Sequence, residues 1–206
     1  MAERILMGPT PARIVSLVLH PAIFPLLGVF LYLKIGPIPY SSRVVILVMA
    51  LVFFGTYLIP VLISFLLYRF KVIPSLQMQS ARDRRWPYLF GAMSFYFTAL
   101  LLQQIDLLGN TYRYILASAA VIVLHLFLLP FMKPSAHMAG IGGFAGLLIA
   151  LSWQFQVNLL PYMALVMIGS GFVAASRLKL KAHNDREIWT GWLSGLLLVL
   201  VLVLMP

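Results

Sequence analysis

Three short stretches of the chain carry most of the side chains that could do chemistry. Residues 80–87 contain three arginines, residues 133–137 end in a histidine, and residues 176–187 contain two arginines, a histidine and a glutamate. Arginine side chains bind phosphate oxygens through bidentate, charge-assisted hydrogen bonds. A histidine held by a carboxylate acts as a base or as a nucleophile. These residue types together indicate a site that handles a phosphate group.

The spacing within the second and third stretches supports this interpretation. His183 and Glu187 stand four residues apart, so on a helix they share a face. Glu187 would then accept a hydrogen bond from one ring nitrogen and leave the lone pair of the other for a substrate. Ser135 precedes a glycine-rich apolar run, which predicts a helix that Ser135 caps. The free amides and the positive dipole end of such a helix favour an anion.

In these two stretches the sequence resembles the type 2 phosphatidic acid phosphatases, a family that includes lipid phosphate phosphatases and related haloperoxidases. The second motif of that family, PSGH, matches residues 134–137 with alanine in place of glycine. Its third motif, SRxxxxxHxxxD, matches residues 176–187 with Glu187 in place of aspartate. The resemblance covers the C-terminal third of the chain.

The resemblance implies a phosphatase mechanism without a metal or a cofactor. His183 would attack phosphorus and form a phosphohistidine, and Glu187 would orient His183. His137 would protonate the leaving oxygen and then activate water. Arg177 and the amides near Ser135 would hold the equatorial oxygens, since phosphoryl transfer needs mainly positioning and charge stabilisation.

The first motif of that family, KxxxxxxRP, is altered in this chain. A tryptophan separates Arg85 from the following proline, and a methionine stands where the motif has lysine. If residues 80–86 are helical, Arg82 and Arg85 share a face at a spacing of three, while Arg84 points elsewhere. We therefore expect Arg82 and Arg85 to bind phosphate in place of the missing pair.

The rest of the sequence indicates what positions these stretches. Of the 206 residues, 62% are hydrophobic and 10% are charged, a composition that a water-soluble domain cannot bury but a bilayer accepts. Continuous apolar segments predict helices rather than strands, and hence an all-α, polytopic transmembrane bundle forming a single domain over residues 1–206. About seven segments are expected, or six if the first, interrupted by Pro21 and Pro25, does not span. The segments are 14–33, 44–68, 88–108, 114–132, 138–154, 159–176 and 188–205.

The membrane setting also gives expectations about partners. The net charge of +10 is assigned to topology and to anionic lipid headgroups, not to nucleic acid. The expected substrate is a phospholipid or isoprenoid phosphate, such as a phosphatidate, a phosphatidylglycerol phosphate or a polyprenyl pyrophosphate. Its tail is expected to stay in the surrounding lipid while its head meets the arginines.

Seven spanning segments would bring the three stretches together on the face that also holds the N-terminus. That face then carries twelve Lys and Arg residues, including Arg4, and the opposite face carries three. Short basic loops normally stay cytoplasmic, which predicts a cytoplasmic N-terminus and catalytic face in a multi-pass protein of the bacterial inner membrane. Members of the similar family commonly keep the catalytic face outside the cytoplasm, so the two arguments disagree. No cleaved signal peptide is expected in residues 1–12.

Two other functions remain open at this point. One is a transferase on the same scaffold, which passes a phosphoryl or phosphatidyl group to an alcohol. The other is a non-catalytic lipid-binding or transport protein, for which the altered first motif is the best argument. His20 and His125 lie inside apolar segments and are expected to be neutral imidazoles bonded to a neighbouring helix.

Overall fold

In a computed structural model, which describes residues 9–78 and 80–205, the elements are helices and no strand is present in those ranges. Arg4 and most of the N-terminal stretch discussed above lie outside the described residues. The helices are α1 (Pro9–Val18), α2 (Ile23–Ile35), α3 (Ser42–Phe53), α4 (Ile59–Arg69), α5 (Arg85–Gln103), α6 (Tyr112–Leu128), α7 (Ala136–Phe155), α8 (Leu160–Lys179) and α9 (Asp185–Leu204).

In the part of the chain that the structure describes, five helices are long and apolar enough to cross a membrane, and α1 with α2 forms a sixth candidate that is bent by 42° at its break. The break follows Val18 and contains Pro21, which has no amide hydrogen to continue a helix. The all-α prediction is confirmed, whereas the count of seven is not. The segment predicted at 88–108 corresponds to α5, which has 19 residues but is not among the helices that qualify by length and composition. The five are Ser42–Arg69, Asp106–Leu128, Ala136–Phe155, Leu160–Lys179 and Asp185–Leu204.

Helix α7 lies at the centre of the bundle and packs most extensively on α9. A Cβ atom added to Gly142 or Gly146 of α7 would collide with backbone carbonyls of α9, and one added to Gly195 would collide with the carbonyl of Ala139. Small residues at these positions let the two backbones approach closely. The close pair fixes the second stretch, at the start of α7, against the third stretch, which leads into α9.

A π-helical turn, Phe54–Leu58, joins α3 and α4 into one helix of 28 residues. The hydroxyl of Ser94 on α5 donates to the carbonyl of Gly55 in this turn at 2.6 Å. Beyond the turn α4 contains no buried residue, packs chiefly on α5 and makes at most marginal contact with α2. The bundle is therefore open between α2 and α4.

Large apolar side chains point outward around the whole bundle. Leu17 and Phe70 are each 75% exposed, Phe127 is 71% exposed and Phe131 is 85% exposed. Contiguous apolar surface of this kind is unfavourable in water, whereas lipid chains solvate it. The outer surface is thus suited to lipid.

Candidate active site

The structure brings the three polar stretches together at one end of the bundle. They border a cavity of about 780 Å³ that lies between α2, α4, α5, α6 and α7. Its polar end is lined by two arginines and four histidines: Arg84, Arg177, His20, His125, His137 and His183.

His183 lies in the loop before α9 and is 8% exposed. Its Nδ1 lies 3.1 Å from Oε2 of Glu187 and 3.1 Å from the carbonyl oxygen of Lys133. Both partners are acceptors, which assigns the hydrogen to Nδ1. In the neutral ring, Nε2 then carries the lone pair, as a nucleophile requires.

The surroundings of His183 favour its neutral form. Burial lowers the pKa of His183 to about 4, and the positive charges of Arg84, Arg177 and Lys133 act in the same direction. The carboxylate of Glu187 opposes this shift in the pKa without cancelling it. The ring is therefore uncharged at neutral pH and its lone pair is available.

Hydrogen bonds of Glu187 connect the second stretch to the third. Its Oε2 accepts from the amide of Asn184 at 3.1 Å, and the side chain of Asn184 accepts from the amide of Glu187 at 3.0 Å. This reciprocal pair is a capping box, which uses glutamate or glutamine at this position and gives a structural reason for glutamate here. The other carboxylate oxygen accepts from the amide of Lys133 at 3.2 Å, and the Glu187 carbonyl accepts from the amide of Ser135 at 3.0 Å.

Ser135 caps α7, as predicted: its hydroxyl oxygen accepts from the amide of Met138 at 3.4 Å. Two residues later, His137 lines the cavity and its Nε2 lies 3.0 Å from the carbonyl oxygen of Ser16. That carbonyl belongs to the last turn of α1, where helical carbonyls lack partners within the helix. The carbonyl holds a hydrogen on Nε2 of His137, so that Nδ1 is the nitrogen that can exchange a proton.

Arg177 lies in the last turn of α8. Its Nη1 donates to the hydroxyl of Ser16 at 3.4 Å, and its Nε is buried without a hydrogen-bond partner among the described residues. Within residues 9–78 and 80–205, neither Arg177 nor Arg84 has a carboxylate at ion-pair distance. Two cations thus line a cavity whose lining, among the described residues, contains no carboxylate, an arrangement suited to a bound phosphate.

The first stretch presents a different arginine to the cavity than expected. Arg82–Arg84 form a 3₁₀ turn, and α5 begins at Arg85. Side chains three residues apart eclipse in such a turn, so Arg82 and Arg85 share a face as predicted, but that face is exposed. Arg84 lines the cavity and donates to the carbonyl of Met78 at 3.1 Å and to the hydroxyl of Tyr88 at 3.2 Å. Arg82 and Arg85 are exposed and do not line the cavity.

Helix α1 contributes to the site, which the sequence analysis missed. Ser16, 8% exposed, contacts both His137 and Arg177. His20, in the break after α1, packs edge to face on His137 with ring centroids 5.4 Å apart, and its Nδ1 accepts from the amide of Ala22. The sequence feature that indicates this contribution is a serine and a histidine four residues apart, next to a break caused by proline. The break turns these polar groups toward the bundle.

The expectation for His125 is confirmed, whereas that for His20 is not. Nε2 of His125 lies 2.8 Å from the hydroxyl of Ser194 on α9, and this hydroxyl donates to the carbonyl of Gly191. The hydroxyl has one hydrogen, so His125 is the donor in the first bond. The hydrogen bond found for His20 is local, because it lies in a helix break and not on a helix face.

The assembled site combines a histidine with a fixed tautomer, a second histidine that can exchange protons, two arginines and the amino end of α7. No three His, Asp or Glu side chains in the described ranges are arranged to hold a metal ion.

Comparison with known proteins adds no assignment: no family model, no curated protein and no solved structure matches this chain.

Proposed function

We propose that the chain is an integral membrane phosphatase that removes phosphate from a lipid phosphate or a polyprenyl (pyro)phosphate through a phosphohistidine. One observation carries the proposal. His183, with both acceptors on Nδ1, borders the same cavity as two arginines that have no carboxylate partner among the described residues. A neutral imidazole nucleophile and guanidinium groups that are not neutralised by a carboxylate are what phosphoryl transfer requires.

In the first step, Nε2 of His183 attacks phosphorus and the bond from phosphorus to the ester oxygen breaks. The negative charge of the bound phosphate favours the imidazolium form of His137, which gives its Nδ1 proton to the leaving oxygen and keeps its Nε2 hydrogen on the Ser16 carbonyl. Arg84 and Arg177 neutralise the charge on the equatorial oxygens. The alcohol leaves, and the phosphoryl group remains on Nε2 of His183.

In the second step, a water molecule attacks the phosphoryl group. Nδ1 of His137, now neutral, takes a proton from the water, and the phosphorus–nitrogen bond breaks. The electron pair of that bond returns to Nε2 of His183. Inorganic phosphate leaves, and both histidines regain their starting protonation.

A lipid substrate is supported by the setting of the site. The cavity continues from the charged end into apolar surroundings, and the bundle is open between α2 and α4. Three of the helices that frame it, α4, α6 and α7, belong to candidate membrane spans, and α2 belongs to the bent sixth candidate. A phosphorylated lipid could therefore reach His183 with its chain among apolar side chains.

The proposal is tested by measuring inorganic phosphate released from a panel of lipid phosphates by purified protein in the presence of a chelator. Wild-type protein should release phosphate, and His183→Ala should lose several orders of magnitude in rate because it lacks the covalent nucleophile. Ser152→Ala is a matched control, since Ser152 bonds the carbonyl of Val157 away from the cavity. Absence of release, or release that requires an added alcohol, contradicts hydrolysis.

We further propose that the catalytic face is cytoplasmic, on the basis of the loop charges described above. The chain contains no cysteine, so single cysteines report sidedness without background. In intact cells, Ser75→Cys should resist an impermeant thiol reagent and Asn110→Cys should react. The reverse pattern overturns the cytoplasmic assignment.

A further inference from the structure

The cavity at the active site has a long apolar arm. Along α5 its lining side chains recur on one face, from Arg84 at the charged end through Tyr88 and Gly91 to Phe95. Eleven residues separate the first from the last, which corresponds to about 16 Å of helix at 1.5 Å per residue. The arm is therefore far deeper than a phosphate group needs.

Helix α6 forms the wall of the arm opposite α5, and its lining residues extend in the same direction and to the same depth. On α6 the lining residues run from His125, beside the charged groups, to Tyr114 at the other end. Tyr114 is 2% exposed and its hydroxyl donates to the carbonyl of Phe24, so its polar atom is already satisfied by the protein. What the arm presents to an occupant is predominantly apolar.

The surroundings of Gly91 show that protein side chains do not fill the arm. Gly91 is buried, yet a Cβ atom added there would meet no atom within 4 Å apart from its own helix backbone. Buried positions in a packed interior normally touch neighbours on all sides. The empty volume beside this buried glycine of α5 therefore leaves the arm unobstructed at that point.

The path has an entrance on the apolar side of the molecule. Helix α4 forms one wall through Val61, Leu62 and Phe65, contains no buried residue, and barely contacts α2. An apolar group can thus pass between α2 and α4 from the lipid-suited outer surface into the arm.

We propose that the arm binds one hydrocarbon chain of the phosphorylated lipid, which enters between α2 and α4 and passes Gly91, and that Gly91 determines which chains are accepted. This rests on the proposed function for the identity of the head group. The chain then lies inside the bundle, in contrast to the expectation that the tail stays in the surrounding lipid.

Binding is measured independently of turnover with Gly91→Cys, the single thiol in the chain, and a small membrane-permeant thiol reagent, in a protein that also carries His183→Ala and so does not convert the ligand. Hexadecyl phosphate should slow labelling at least tenfold, while hexyl phosphate and inorganic phosphate should not, because they occupy the charged end without reaching Gly91. Gly171→Cys is the matched control: a Cβ there also meets nothing within 4 Å, but Gly171 is exposed on α8 and does not line the cavity.

The outcomes of this experiment are distinct. Equal labelling of Gly91→Cys with and without hexadecyl phosphate overturns the chain site. Equal protection by hexadecanol, which has no phosphate, overturns the link between the arm and the charged end. Equal protection of Gly171→Cys shows non-specific partitioning and also overturns the proposal.

Measurements of turnover distinguish failure of the proposed chain site from failure of the proposed phosphatase function. Gly91→Phe should lower kcat/KM at least tenfold for hexadecyl phosphate and leave hexyl phosphate within about twofold, while Gly171→Phe changes neither. If the wild-type protein hydrolyses neither substrate, the phosphatase proposal fails and the protection experiment still decides the chain site. If Gly91→Phe lowers kcat/KM equally for hexadecyl phosphate and hexyl phosphate, Gly91 does not determine which chains are accepted.

Discussion

His183 and Glu187 are joined by a 3.1 Å contact between Nδ1 and Oε2 across the start of α9, and the same carboxylate completes the capping box with Asn184. One side chain thus fixes both the tautomer of the nucleophile and the beginning of the helix behind it. The two roles can be separated by substitution.

Glu187→Gln keeps an oxygen that can accept from Nδ1 but removes the charge that stabilises the ring. We expect kcat to fall about tenfold to a hundredfold, as for other partners that orient a reactive histidine, and less than in His183→Ala. Glu187→Ala should lower kcat further than Glu187→Gln does. It should also lower Tm, because the helix cap and the hydrogen bond from the Lys133 amide are lost. Steady-state kinetics and thermal unfolding check this, and equal activity of Glu187→Gln and wild type contradicts it.

Arg84 and Arg85 are adjacent in sequence but differ in their relation to the cavity, which makes them a matched pair. Arg84→Ala should raise KM and lower kcat, with a combined loss of about tenfold to a hundredfold for two charge-assisted hydrogen bonds. Arg85→Ala should stay within about twofold, since Arg85 is exposed outside the cavity. A larger loss in Arg85→Ala than in Arg84→Ala shows that the first stretch binds phosphate differently from this structure.

Ser16 links α1 to the site through its hydroxyl, which accepts from Arg177, and through its carbonyl, which accepts from His137. Ser16→Ala removes only the first link. We expect KM to rise about fivefold to tenfold with little change in kcat, because a hydrogen bond to a charged group orients the ligand-binding arginine. Ser16→Thr, which retains a hydroxyl, should restore KM. An effect on Tm with unchanged KM identifies a purely structural role.

The pH dependence follows from the lowered pKa of His183. Only the neutral ring is nucleophilic, so the acidic limb of kcat/KM should lie near the folded-state pKa of about 4 and not near the ordinary value of 6.5. Arg84→Ala should move this limb to higher pH, because a positive charge that disfavours protonation is removed. A limb that Arg84→Ala leaves in place contradicts the electrostatic account.

Protonation of His183 also links pH to stability. Between pH 4 and pH 6.5 the unfolded chain binds the proton that the folded site excludes. The contribution to stability is therefore present above the ordinary value of 6.5 and is lost as pH falls toward the folded-state pKa of about 4.

The sequence predicts the helical bundle and the residues around His183 because these depend on apolar length and on local spacing. Ser135 was recognised as a cap from the glycine-rich run after it, and the structure confirms this. Arg84 and not the Arg82–Arg85 face lines the cavity, because that shared face is turned to the exposed side, and the spacing of three arginines does not predict which face meets the cavity. Ser16 was missed because its contacts depend on how the break near Pro21 directs α1 onto α8, which is a tertiary property.

The central claim is that phosphorus becomes bonded to Nε2 of His183, and trapping that bond tests it most directly. Protein is mixed with an aryl phosphate carrying radiolabelled phosphorus and quenched in alkali, in which phosphohistidine persists. His137→Ala should accumulate label, because an aryl leaving group needs no proton while hydrolysis of the intermediate still needs a base. Label on His183, lost on acid treatment and lost in the double variant His137→Ala, His183→Ala, is the result we predict. Label that persists in the double variant, or no label in His137→Ala while wild type releases phosphate, contradicts the account.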